Sequence, residues 1–227
     1  MIPGLIIVLA VAVVDWVAVA RGWRKVEILA KPATLVALFL FLLLGLVVIG
    51  FSSLPLIFFG VGILFSLAGD IFLLLSDRWF LAGLAAFLLA HVAYIIGFNL
   101  PLPDLSSVWS IGIAIILAIT AGRVLRRILL GLKAKGLQRM AGPVVLYGTV
   151  ITVMLLSALL TLFRLDWNLW AALLSVIGAS LFYLSDVILA MNKFVAPIKN
   201  GRLVNMIAYH LGQIALIAGV FLQFGIK

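Results

Sequence analysis

Two aspartates stand in stretches too apolar to be solvated. Asp70 lies in GDIFLLLSDRWF, which starts at Gly69, and Asp186 in GASLFYLSDVILAMNKF, Gly178 to Phe194. An ionisable group at bilayer depth costs about 2.5 to 3.5 kcal/mol on insertion scales, so it needs a function or a buried partner. Asp70 precedes Ser76, and Asp186 precedes Asn192, by six residues each. At 1.5 Å per helical residue, both lie about 9 Å inside the same membrane boundary. Two carboxyls at one depth can share a hollow and hold one proton between them, a neutral acid beside an ionised base. The bland alternative is that each aspartate only bonds a neighbouring helix.

A polar stripe near the C-terminus suits such a site. Asn205, Tyr209 and Gln213 are spaced i, i+4 and i+8 and share one helix face. Arg202 precedes the stripe, and His210 points about 100° away from it. His91 and Tyr94, i and i+3, share another face with Phe87, and His91 is expected at the cavity floor, about 18 Å from the cytoplasmic end. Lys31 is expected to snorkel to a lipid phosphate. Asp77, beside Arg78, reads as a solvated end residue. The two histidines sit on separate helices at unequal depths without HxxxH or ExxH pairing, so no metal site is expected. No cofactor is expected either. No Walker loop, GxSxG or dinucleotide fingerprint occurs in a fitting context.

Long helices must hold these residues. The chain of 227 residues is 67% hydrophobic and only 10% charged, where a soluble domain carries about 25%. Its mean hydropathy is +1.39. The reading is an all-α membrane protein, one domain of eight transmembrane helices in a compact bundle. The spans are expected near Ile2–Ala20, Pro32–Phe51, Leu54–Ser76, Trp79–Phe98, Val108–Leu130, Ala141–Phe163, Leu169–Met191 and Leu203–Phe224. The start, MIPGLIIVLA, reads as the first span and not as a removed leader. The short connections imply antiparallel neighbours.

Charge sets the orientation. Of the 16 Lys and Arg, 14 fall on one side of this topology, and Arg164 and Lys227 on the other. That bias puts the basic side in the cytoplasm and both termini outside it, in a multi-pass cell (inner) membrane. The net charge of +9 then fits an anionic bilayer surface, and no nucleic-acid partner is expected. Six tryptophans near span ends read as an interfacial belt. With no cysteine, disulfide and thiolate chemistry are excluded.

A four-plus-four parallel repeat is also expected. Pro32 and Pro143, Asp70 and Asp186, and His91 and His210 recur at offsets of 111, 116 and 119 residues. It would put the two aspartates at one depth on helices running the same way.

The stretches KPATL from Lys31, GDIFLLL with FLAGLAAFLLAHVAYIIGF, and GASLFYLSDVILAMNKF with AYHLGQIALIAG resemble the YhhN-like lysoplasmalogenase family. They cover roughly half the chain in the family's order. The resemblance implies an eight-helix ether-bond hydrolase whose substrate is a membrane lipid, a lysophospholipid. It would cleave the vinyl-ether bond of lysoplasmalogens to a fatty aldehyde and a glycerophospho-headgroup. It places the family's acidic positions on Asp70 and Asp186, its H-x-x-Y on His91 and Tyr94, and its Y-x-x-x-Q on Tyr209 and Gln213. His210 carries less weight. Vinyl ethers are labile to acid, because protonation of the terminal alkene carbon gives an oxocarbenium ion. A desolvated aspartate pair could supply that acid and the base for water. The alternative is a proton-coupled transporter of a small or lipid-like substrate, and a non-catalytic lipid-binding scaffold is the third reading.

Overall fold

The computed structural model describes residues 2–102 and 108–225. The expected outer-side charge Lys227, and residues 103–107 of the fourth connection, lie outside the described residues. Eight helices follow in order: α1 (Ile2–Arg21), α2 (Arg24–Val48), α3 (Leu54–Leu74), α4 (Phe80–Phe98), α5 (Val108–Ala134), α6 (Ala141–Leu160), α7 (Leu169–Ala190) and α8 (Gly201–Phe224). Among the described residues every regular element is helical, and all eight helices are long and apolar enough to span a bilayer.

Most boundaries lie within a few residues of expectation, but α2 begins eight residues early. Pro32 does not open it and lies in its interior. Arg24, Lys25 and Glu27 read as loop because they are charged. Here Glu27 is buried and paired with Arg24 at 3.0 Å and with Arg202, so its turn stays helical. Proline costs one backbone bond, and the helix absorbs it near its start.

Helix α8 is the centre of the bundle, packed on α7 most extensively and also on α1, α2 and α3. Small residues let it approach. A Cβ at Gly212 would stand 2.8 Å from the Phe182 backbone nitrogen, and one at Gly178 would overlap the backbone of Leu216. Helix α3 packs on α4 almost as closely, and α4 also reaches α6. The core around Leu35, Phe59, Tyr94, Phe182 and Leu216 fills the space between them. Helix α5 is peripheral: only Ser110, Ile128 and Leu132 are buried on it. It leans on α6 and on a π-helical turn, Met191–Val195, that extends α7.

Two tryptophans leave the expected interfacial belt. Trp167 is buried against Phe98 and Phe224. Trp16 lies partly buried and donates from Nε1 to His210 Nδ1 at 3.1 Å. For Trp16 the acceptor outweighs the interface, since an indole N–H inside an apolar bundle needs one. Trp167, with no acceptor for its Nε1 among the described residues, is held by its aromatic contacts. Trp23, Trp79, Trp109 and Trp170 remain exposed.

Candidate active site

Asp70 stands four residues before the end of α3, and Asp186 four before the end of α7. Both line one cavity of about 580 Å³, together with Lys31, Asn205 and Tyr209. Its mouth carries Arg24, Asp77, Lys193 and Arg202, all at the basic end of the bundle. The aspartates do not hydrogen-bond to each other. Each has its own set of partners.

Asp70 is fully buried. Its Oδ1 lies 2.9 Å from Lys31 Nζ of α2, and its Oδ2 accepts from the Tyr209 hydroxyl of α8 at 2.9 Å. Lys31 is itself buried, with its ammonium 5.9 Å from the Tyr209 ring centroid. It does not snorkel to the headgroups, which corrects the expectation from sequence: a buried carboxylate is a nearer and less hydrated partner than a lipid phosphate.

Among the described residues Asp186 has no lysine or arginine partner. Its Oδ2 accepts a hydrogen bond from the Tyr147 hydroxyl of α6. His91 Nε2, fully buried on α4, lies 3.0 Å from that hydroxyl and 3.4 Å from Asp186 Oδ2. Because Tyr147 gives its proton to Asp186, its oxygen is left to accept from His91 Nε2–H. His91 therefore reaches the site through Tyr147.

The other expected residues divide. Tyr94 donates to Gln213 Oε1 at 2.9 Å, and Gln213 Nε2 donates to Ser66 Oγ at 3.0 Å. This buried relay lies one turn below Asp70 on α3 and does not line the cavity. Asn205 lines it but spends its amide on the Ser185 carbonyl at 2.5 Å, tying α8 to α7 beside Asp186. His210 faces away from the cavity, toward Trp16 and Asp15. Asp77, fully open to solvent, pairs with Lys193 at 2.8 Å. Among the described residues no cluster of three or more His, Cys, Asp or Glu could hold a metal ion.

Sequence reasoning missed three residues. Asp15 in α1 is fully buried, with Oδ2 3.9 Å from His210 Nδ1. It carried the same signal as Asp70, a lone acid in an apolar run. Glu27 was hidden by its charged neighbours. Tyr147 gave no signal, since a single tyrosine in an apolar span is ordinary packing.

Beside this hollow lies a second, apolar cavity of about 320 Å³ between α4, α5, α6 and α7. Leu73, Phe87, Asp186 and Leu189 belong to the walls of both. Asp186 thus stands where a polar chamber meets an apolar one.

Fold and site together define a multi-pass membrane protein with two carboxyl side chains lining one cavity at its basic end. The chain belongs to the YhhN family, whose model matches residues 26–220. It is 31% identical over 163 residues to mouse (Mus musculus) lysoplasmalogenase TMEM86B, covering 71% of this chain and 62% of that protein. It is 30% identical over 157 residues to human (Homo sapiens) lysoplasmalogenase TMEM86A, covering 67% and 60%. The match thus spans about three fifths of the length of these relatives. No solved structure matches the chain.

Proposed function

We propose that this protein hydrolyses the vinyl-ether bond of a lysoplasmalogen, releasing a fatty aldehyde and a glycerophospho-headgroup. The observation that carries the reading is the placement of Asp70 and Asp186 on the walls of one basic-mouthed cavity. The names of the relatives point the same way.

Charge balance supports a division of roles. Asp70, with Lys31 at 2.9 Å, is the carboxylate. Asp186, without a lysine or arginine partner and at the apolar border, is the acid. Its proton goes to the alkene carbon on the chain side, and the ether oxygen stabilises the resulting cation. Water adds to the carbon bearing that oxygen and gives a proton to Asp70. The hemiacetal hydroxyl returns its proton to Asp186 as the carbon–oxygen bond breaks. Asp70 protonates the departing glycerol oxygen, and both groups are restored. Tyr147 and Tyr209 hold the two carboxyls in register. Arg24, Lys193 and Arg202 at the mouth suit a phosphate. In the orientation the basic bias implies, the mouth opens to the cytoplasm.

The test is aldehyde release by purified protein from a lysoplasmalogen and from its saturated alkyl-ether analogue. Cleavage of the first alone, lost in both Asp70→Asn and Asp186→Asn, is expected. Near-normal turnover by both folded variants, or equal cleavage of the saturated ether, would overturn the assignment.

A further inference from the structure

We propose that the apolar cavity against α5 is the seat of one hydrocarbon chain, that of the lysophospholipid whose headgroup occupies the polar chamber. The inference rests on the lysolipid reading above and deepens it. Three observations carry it. The two cavities share Leu73, Phe87, Asp186 and Leu189, so a molecule with a phosphate at the basic mouth extends past Asp186 into the apolar space. That space is walled on one side by α5, the least buried helix, which puts it beside the bilayer. Its walls are also built with room: a Cβ at Gly122 meets nothing within 4 Å, and one at Gly148 meets only Leu125 Cδ1, at 3.5 Å.

The physical role follows from the solvent. A chain in lipid is already in an apolar medium, so moving it onto Leu84 and Ile151 gains little transfer free energy. What the cleft supplies is position. It holds the first carbons of the chain against Asp186, and it fits one chain where a two-chain lipid must place two. Specificity for lysolipids then comes from shape and not from the headgroup.

The direct test is photolabelling of the purified protein by a saturated alkyl-ether lysophosphocholine carrying a diazirine midway along its chain. This probe cannot be cleaved by vinyl-ether chemistry, so the result does not depend on turnover. Label on the α5 and α6 segments around Gly122 and Gly148, competed by unlabelled lysolipid and lost in Gly122→Phe, is expected. Ile119→Phe, on the exposed side of α5 and outside the cavity walls, is expected to label like the wild type. Label spread evenly over bilayer-facing helices, or unchanged in Gly122→Phe and Gly148→Phe, would overturn the proposal. A turnover arm separates the two readings. The ratio of kcat/KM for a hexadecenyl over an octenyl lysoplasmalogen should fall at least about tenfold in Gly122→Phe. Specific label without any turnover would keep the chain seat and remove the hydrolase reading. Turnover with an unchanged ratio would do the reverse.

Discussion

Lys31 decides what Asp70 can be. A carboxylate with an ammonium at 2.9 Å and a tyrosine hydroxyl at 2.9 Å is built to carry charge where water is scarce. Removing the cation by Lys31→Met leaves Asp70 buried and unpaired, at a cost of about 3 to 5 kcal/mol. The expected outcome is a sharp drop in thermal stability, largely restored in the double variant Lys31→Met, Asp70→Asn. Tyr147 is different, because it donates to Asp186 and also accepts from His91. Tyr147→Phe removes one hydrogen bond to the Asp186 carboxyl, about 0.5 to 1.5 kcal/mol. It should lower kcat roughly 10- to 100-fold in an aldehyde-release assay while the protein still purifies as a folded species. The matching positions of the two aspartates near their helix ends were legible from their apolar settings, as was the shared face of Tyr209 and Gln213. The partners were not. Hydropathy cannot tell a snorkelling lysine from one buried against an acid on another helix. Nothing in the sequence distinguishes Tyr147 from a packing tyrosine until α6 is laid against α7.

Helix α8 holds the site together through close approach to α7. The Cβ missing at Gly178 and Gly212 lets α8 approach α7 closely enough for Asn205 to reach the Ser185 carbonyl. Gly212→Leu drives a side chain into the backbone of Phe182. That overpacking should cost about 1 to 3 kcal/mol or more, read as a lower Tm in detergent with loss of activity. At the opposite end, Arg164 clips the bundle by bonding Asp166 and the carbonyl of Phe98. The hydrogen bonds from Arg164 hold the Asp166 carboxyl below its ordinary value of 3.8. A depressed carboxyl stabilises the fold above its unfolded value and loses that contribution as pH falls through the folded one. Asp166 is half exposed, so screening leaves a few tenths of a kcal/mol at most, by the roughly 0 to 1 kcal/mol range for surface pairs. Asp166→Asn should therefore lower Tm slightly at neutral pH, with the difference closing below the carboxylate range. The eight helices were readable because a bilayer demands long apolar runs. The start of α2 was not, because a charged turn reads as loop unless its buried ion pairs are known.

At the scale of the whole molecule, we propose that the four-plus-four repeat organises the chemistry. Supporting it, Lys31 and Tyr147 are separated by the same 116 residues as Asp70 and Asp186, and each partners the aspartate of its own half. The halves also cross. His91 on α4 serves the second aspartate, and Tyr209 on α8 serves the first. The two sets differ in charge: a lysine stands beside one carboxyl and a tyrosine beside the other. That asymmetry is what would turn a duplicated scaffold into an acid and a base. Hydrolysis in heavy water, with the aldehyde reduced as it forms, tests the central claim of proton transfer to the alkene most directly. If an exchangeable acid in the site protonates the alkene carbon on the chain side, the reduced product carries one deuterium on the carbon next to the alcohol carbon. A product free of deuterium at that carbon would contradict it.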